Sequence, residues 1–329
     1  MKLYLWLILQ WTRRHNLRDD RMPSTYANTI NSPLVKGAKA KLYKIIISDR
    51  VIRGYRNAFN IDVSKYFSGI DRIAVYECDA TSYRFYFPFE LAGAEELYTH
   101  LEKFDWNYKT EKWEYSAALK QLMPGSRVLD VGCGRGAFVS IVTRSGFDCF
   151  GLELNTSAIR SAQLSGLNVS AEPLRSHSSA AVEAYDAVCS FQVLEHIVYV
   201  ADFLNDCVRA LRPGGLLILG VPNNDAFLKY DDEAVLNMPP HHMGLWARKS
   251  LCALPTFFPL HLKSILIEPL SEVDWYTAVM ERHYLGDWKL MHSAYYRLRL
   301  SNLVRRYVRS QAHGIPGHTI LAVYEKHMS

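Results

Sequence analysis

Apolar and polar residues alternate in blocks along this chain, and the blocks change period part-way. From 127 onward, apolar runs suited to strands buried on both faces (RVLDV, FDCFGLEL, YDAVCSF, LLILGVP) are separated by stretches with helical spacing (FVSIVTRSG, SAIRSAQLSG, VADFLNDCVRALRPGG), with a short LNVS among them. That series predicts βαβ units, hence an α/β fold with a parallel sheet covered by helices. Ahead of it, 41–57 and 91–122 show helical spacing, with Leu91, Leu97, Leu101 and Phe104 in one part and Trp113, Ala117, Leu119 and Leu122 in the next. Between them RIAVYECDATSYRFYFP reads as two short strands ending at Pro88. Beyond the series come HLKSILIEPL, a helical and basic stretch over 271–312, and a final strand HTILAVYEK. The expected organisation is an accessory region at 1–110, a core at 111–268, a helical basic insertion at 269–316, and the last core strand with the C-terminus at 317–329.

Within the insertion, Trp288, Met291, Tyr295 and Leu298 share one helical face while Leu300, Leu303, Val304 and Tyr307 fall nearly opposite. One straight helix cannot bury both sets. A break near Ser301 and Asn302, residues suited to capping, resolves this by starting a second helix whose other face carries Arg305, Arg306 and Arg309.

Composition changes little in this picture. At 49% hydrophobic and 22% charged the chain is globular rather than disordered or membrane-spanning, and 329 residues suit a core with a smaller second piece. The net charge of +5 matters through its placement. Residues 281–329 hold eight Lys/Arg against Glu281, Asp287 and Glu325, which equals the whole excess. A neutral body argues against a nucleic-acid groove across the core and for one local basic surface. A peripheral membrane or subunit contact through 288–309 is the corresponding expectation. Six cysteines show no C-x-x-C and no paired metal spacing, so neither zinc nor a disulfide framework is expected and a reducing cytoplasm fits. The opening MKLYLWLILQWTRR is apolar but short for a bilayer, and no small-residue cleavage site follows it. Met22 begins a more ordinary globular sequence and is favoured over Met1 as the start of translation.

The chemistry concentrates at 128–138, VLDVGCGRGAF: an apolar strand, Asp130, then Gly132, Gly134 and Gly136 turning into a helix near Phe138. Glycines there let a ligand approach the backbone. Twenty-three positions after Asp130, FDCFGLEL delivers Glu153 at a strand end, where an acid can accept both ribose hydroxyls. Gly132, Gly134 and Ala137 also satisfy G-x-G-x-x-A, so an NAD-dependent Rossmann oxidoreductase is an alternative, as is a non-catalytic cofactor-binding scaffold. Asp130 would repel a pyrophosphate, whereas a ligand carrying an ammonium and a sulfonium gains from it.

With YDAVCSFQVLEHI at 185–197 and LRPGGLLILGVPN at 211–223, the sequence resembles the class I S-adenosylmethionine-dependent methyltransferases, which show D-x-G-x-G-x-G, a second-strand acid, a fourth strand opened by Asp, and L-x-P-G-G. The resemblance covers roughly 111–268. It implies a Rossmann-like, seven-stranded, mostly parallel sheet flanked by helices, with HTILAVYEK as the reversed last strand. It implies S-adenosylmethionine as cofactor, contacted by Asp130, Gly132, Cys133, Gly134 and Gly136 at the methionine end and by Glu153 and Leu154 near the ribose. Gln192 falls near the methyl group. The segment NYKTEKWEY looks like the family's lid, with Tyr108 and Lys112 as contacts and Trp113 as core.

Two departures stand out. After the third strand, NVSAEPLRSHSS has no acid where relatives hold the adenine amino group; Glu172 is displaced, which leaves main-chain groups around Leu174. QVLEH at 192–196 is similar to the E-x-x-E-H of ubiquinone-pathway O-methyltransferases, in which carboxylates can ligate a divalent cation; Gln192 removes one charged ligand, so no metal is expected. The loop MPPHHMGLW at 238–246 follows the fifth strand and should overhang the reacting methyl, which makes His242 and His241 candidate bases toward an acceptor hydroxyl. Similar P-P-H-H-x-x-x-W loops occur in bacterial methyltransferases, some associated with surface polysaccharide synthesis. The expected acceptor is a small polar molecule, saccharide-type or other.

Overall fold

The computed structural model describes residues 26–101, 103–104, 110–286 and 295–328. Strands β1 (Thr29–Asn31) and β2 (Lys39–Ile47), helix α1 (Ser48–Phe59), and strands β3 (Arg72–Cys78) and β4 (Arg84–Phe87) open the chain. The pair expected from RIAVYECDATSYRFYFP is β3 and β4, antiparallel with Tyr76 opposite Phe85. The helical reading of 41–57 is half wrong. Residues through Ile47 form β2, paired with β3 from Ala40↔Cys78 to Ile47↔Arg72. The β-branched run Ile45–Ile47 packs on a pleated surface better than on a helix, and a partner strand decides it. The stretch 91–122 is likewise broken, into α2 (Glu95–Leu101) and α3 (Trp113–Leu119).

The main sheet follows from β5 (Arg127–Val131), α4 (Ala137–Arg144), β6 (Asp148–Leu152), α5 (Thr156–Leu164), β7 (Val169–Ser170), α6 (Leu174–Ala180), β8 (Tyr185–Phe191), α7 (Val200–Ala210) and β9 (Leu211–Pro222). Then come β10 (Gly244–Leu245), α8 (Arg248–Ala253), β11 (Leu260–Pro269), α9 (Val273–Leu285), α10 (Leu300–Gln311) and β12 (Pro316–Lys326). Seven strands lie in the order β11-β12-β9-β8-β5-β6-β7. Neighbours from β9 to β7 are parallel, whereas β12 runs antiparallel to both β9 and β11. The final strand is therefore the reversed one.

Alternation sorts the sheet's side chains between two cores. Leu129, Val188, Leu217, Leu219 and Ile320 face α7, which presents Val200, Leu204, Cys207 and Val208 at helical spacing. Val128, Ala187, Cys189, Ile218 and Leu321 face the opposite way, against α3, α4 and α5. Ala74, Tyr76 and Phe85 of the N-terminal sheet belong to the same cluster as α7, so this sheet shares the main core. Its other face packs on α1, α2 and residues 235–243.

One strand leaves its chain neighbours. β10, inside the stretch 111–268, pairs with β4 through Gly244↔Phe85 and Leu245↔Arg84, which completes a five-stranded sheet β1-β2-β3-β4-β10. Trp246, fully buried, lies 4.4 Å from the Tyr83 ring. The loop carrying His241 and His242 is thus stitched to the N-terminal region.

At the insertion, the expected break occurs at Arg299, whose φ of 54° is left-handed, and Ser301 lies buried inside the first turn instead of capping it. Backbone reversal ends the preceding segment here, so a Ser or Asn cap is not what sets the boundary. The apolar set is not buried either: Leu303 and Tyr307 stand well exposed, and α10 docks by a narrow stripe containing Ser301 and Val308. Trp288 and Met291 lie outside the described residues. Among the described residues no helix is long and apolar enough to cross a membrane.

Candidate active site

At the carboxyl ends of β5, β6 and β8 the sheet opens into a cavity of about 830 Å³, a volume suited to a nucleoside-sized ligand with room beside it. This is the edge at which parallel α/β sheets bind ligands. Gly132, Cys133, Gly134, Gly136, Glu153, Leu154 and Gln192 line it, as do Thr110, Lys112 and Tyr115 from the segment before β5. Tyr108 lies outside the described residues. Trp113 packs against the core formed on the α3 side of the sheet.

The turn after β5 is shaped by glycine where nothing else fits. Gly132 has φ +76°, and a Cβ there would fall 2.4 Å from Val193 Cγ2. Gly136 combines φ +77° with Leu167 Cδ1 at 2.6 Å from the same hypothetical atom. Both the left-handed backbone and the close neighbours exclude a side chain. The chain can then present N–H groups toward the cavity at the start of α4.

Glu153 does more than stand at a strand end. Its carboxylate accepts the N–H of Gly134 at 2.8 Å on one oxygen, and those of Leu154 and Asn155 at 2.7 and 2.8 Å on the other. It therefore ties the glycine turn to the end of β6 and faces the cavity with its orientation set. Oε2, which accepts one of these three bonds, keeps lone-pair capacity for a hydroxyl donor.

Asp130 is displaced from the expectation. It is buried within β5, flanked by Gly151 on β6 and Cys189 on β8, and is not among the residues lining the cavity. The strand is covered on both faces, so a residue one step short of the turn points into the sheet's core. Burial, then the charge of Glu153, pushes its carboxyl up to about 8, with Lys112 opposing. Gln192, just past β8, holds φ 56°; its N–H donates to Gly220 at 2.8 Å and its side-chain Nε2 to Glu114 at 3.4 Å. Such a backbone persists only where its surroundings over-determine it. Glu172, Pro173 and Leu174 line the cavity at the β7 end, with Glu172 held 2.8 Å from His177 Nδ1.

Another part of the lining comes from distant parts of the chain: Glu95 and Tyr98 of α2, His196 after β8, and His241, with the Tyr98 ring against both imidazoles. Of the two candidate bases His241 lines the cavity and His242 stands behind it, the rings stacked at 4.6 Å and 19°. His196, the last residue of Q-V-L-E-H and not among the expected site residues, lies 4.6 Å from the His241 ring and 4.8 Å from that of His242. The placement of Glu95, Tyr98 and His196 had no local signal, because they meet only when β10 joins β4. Backbone bonds fix the loop: Met243 N–H donates to Glu195 at 2.8 Å, Tyr86 N–H to Met243 at 2.9 Å, and Gly93 N–H to Pro240 at 2.7 Å.

Burial governs the electrostatics of this wall. It lowers His196 to about 4 and His241 to about 3, and holds His242 well below the usual imidazole range; the neighbouring rings add to the effect on His241 and His242. Glu195, 1% exposed, is raised to about 8 by the same desolvation, and both its oxygens are buried without a hydrogen-bond partner among the described residues.

A family model described as a methyltransferase domain matches residues 107–261. The ubiquinone biosynthesis O-methyltransferase of Paracidovorax citrulli (strain AAC00-1) is 33% identical over 114 residues, 32% of this chain and 47% of that protein. Its namesake from Bradyrhizobium sp. (strain ORS 278) is 28% identical over 145 residues, 42% of this chain and 57% of that protein. The chain spans about half the length of the curated relatives it matches. The solved SAM dependent methyltransferase from Archaeoglobus fulgidus superimposes with a TM-score of 0.47 at 15% identity, over 70% of this chain and 100% of that one. The antiparallel β12 between β9 and β11 also departs from the 3-2-1-4-5-6 sheet of NAD-binding Rossmann domains, despite the G-x-G-x-x-A match. Over residues 107–261 this chain is therefore similar to methyltransferase domains, and the sheet built there has a Rossmann-like fold.

Proposed function

We propose that this protein is an S-adenosylmethionine-dependent O-methyltransferase acting on a small, polar, hydroxyl-bearing acceptor. The observation that carries the reading is a single cavity with two unlike walls: a glycine turn held by Glu153 on one side, and imidazole, phenol and carboxyl groups from Glu95, Tyr98, His196 and His241 on the other. The first wall fits the cofactor. The left-handed glycines leave room for close approach, Oε2 of Glu153 suits a ribose hydroxyl, and Leu174 at the start of α6 suits a base edge. Bound there, S-adenosylmethionine supplies an electrophilic methyl on a sulfonium, for in-line displacement by the acceptor oxygen.

The chain's own task is alignment and exclusion of water, which can supply several kcal/mol without a covalent intermediate. Asp130, behind the turn, responds to a cationic ligand by favouring its ionised form, and Gln192 positions the wall between the two halves. His241, neutral throughout the physiological range, accepts a hydrogen bond from the acceptor hydroxyl and aims its oxygen, with His242 supporting it. The Tyr98 ring against those of His196 and His241, with Glu95 and Lys112 also on the cavity lining, is an aromatic and polar surface that supports a saccharide-type acceptor. Calorimetry with S-adenosylmethionine and S-adenosylhomocysteine tests the cofactor half. No binding at millimolar concentration overturns it. Methyl transfer to panels of saccharide and phenolic hydroxyls then tests the acceptor; transfer confined to phenols would replace the saccharide part of the reading.

The proposal also includes a peripheral membrane contact at α10, supported by exposed Leu303, Val304 and Tyr307 with Arg306 and Arg309 on the same helix. Co-sedimentation with anionic liposomes that is insensitive to salt and to Arg→Ala changes would dismiss it.

A further inference from the structure

Three histidines converge at the inner end of the cavity. One nitrogen from each of His196, His241 and His242 lies within 4.8 Å of one from each of the others. The three come from two places in the chain: His196 follows β8, while His241 and His242 sit on the loop that the N-terminal sheet captures.

Each ring is held in one tautomer by its own oxygen acceptor. His196 Nδ1 lies 2.6 Å from the His241 carbonyl, His241 Nδ1 3.0 Å from the Leu236 carbonyl, and His242 Nδ1 3.1 Å from Asn237 Oδ1. A carbonyl or amide oxygen only accepts, so Nδ1 carries the proton in all three and Nε2 carries the lone pair. This is the outer-shell arrangement that orients metal-binding imidazoles. A buried carboxyl group faces the same space: Glu195 Oε1 is 3.9 Å from His242 Nε2, and neither of its oxygens has a hydrogen-bond partner among the described residues. Three lone pairs and an unpartnered carboxyl group, buried or half-buried, form a poor environment for water and a good one for a cation.

We propose that His196, His241 and His242 bind one divalent transition-metal ion of the zinc type through their Nε2 atoms, with Glu195 offsetting its charge. Imidazoles favour such ions over magnesium or calcium, which take oxygen ligands. Ligand nitrogens around a tetrahedral ion at ~2.0–2.1 Å stand about 3.4 Å apart, so binding draws the rings together from their present spacing. Because His196 and His241 line the cavity, the open coordination position faces the acceptor. There the ion would polarise the acceptor oxygen, replacing the hydrogen bond that His241 Nε2 offers it in the metal-free protein. This role rests on the methyltransferase reading; the binding itself does not. Sequence spacing hid the site, since Q-V-L-E-H offers one histidine and the other two begin 45 positions later.

The test uses full-length protein without an affinity tag, dialysed against chelator and titrated with zinc chloride alone by calorimetry, with cobalt(II) absorption as a second readout. One saturable equivalent per chain is expected in the wild type, and a visible cobalt spectrum typical of low coordination number. His242→Ala should lose the saturable site. Asn237→Ala, outside the ligand set, should keep a cooperative melt and weaken zinc by about 10–100-fold, which keeps the test open if the histidine variant does not fold. Absence of saturable binding in the wild type, or equal binding by wild type and both variants, overturns the proposal. Binding of S-adenosylhomocysteine to the metal-free protein, measured in parallel, reports on the cofactor half alone and separates the two failures.

Discussion

The two walls of the cavity are built in opposite ways. The wall around Gly132, Gly134 and Glu153 uses one strand–turn–helix and the end of the adjacent strand, so its parts lie within 22 positions from Gly132 to Glu153. The facing wall draws Glu95, His196 and His241 from across 147 positions and depends on β10 pairing with β4. The first wall is held by backbone conformation and local hydrogen bonds, the second by Met238, Met243 and Trp246 sunk into aromatic clusters. A ligand turn that needs special φ values can be written in a few residues; a wall made of side chains on separate elements needs the packing of a whole second sheet.

That contrast can be broken from either side, and the largest effect is expected at Gly132. Gly132→Val places a branched side chain at φ +76° against Val193. Calorimetry should show cofactor binding abolished, while the acceptor wall stays intact by hydrogen exchange on residues 238–246. Cofactor binding that survives within tenfold would mean the turn is not the cofactor's cradle.

His241→Ala should act on the other wall alone. A fall in kcat of about 10²–10⁴-fold with cofactor affinity unchanged is expected if the histidine wall serves the acceptor. Wild-type turnover would reduce that loop to structure.

Between these lies Glu153→Ala. Loss of charged hydrogen bonds to a ribose should weaken cofactor affinity by about 1.5–3 kcal/mol. Because Gly134, Leu154 and Asn155 also lose their acceptor, the melting temperature should drop too. Turnover at saturating cofactor should persist. A collapse in kcat at unchanged affinity would contradict this division of labour.

The smallest effect concerns proton linkage. Asp130 and Glu195, both raised to about 8, stay protonated in the folded protein where the unfolded chain has already ionised. The native state then binds more protons, so stability falls as pH rises toward 8. His196 and His241, lowered to about 4 and 3, act oppositely, but only below the unfolded imidazole value near 6.5. A pH unit or more above 6.5 the raised carboxyls dominate the slope. Asp130→Asn should remove about 1–2 kcal/mol of that decline. An unchanged slope by chemical denaturation would show that Asp130 ionises normally.

What the sequence determined was whatever needs only neighbours along the chain. The parallel βαβ series, the glycine turn, Glu153 at the end of β6 and the reversed β12 were legible, because apolar runs, forced φ values and strand-end positions are local properties. Other features were decided by partners far away. Ile45–Ile47 became strand because β3 was there to pair with it, and Asp130 turned inward because sheet neighbours and helices enclose β5 on both faces. Leu303 and Tyr307 stayed exposed because α10 docks through a different stripe. His196 met His241 and His242 only because Gly244 and Leu245 left the core to join β4. Periodicity reports which side of an element is apolar, but the packing that brings separate elements together sets which buried groups share one space.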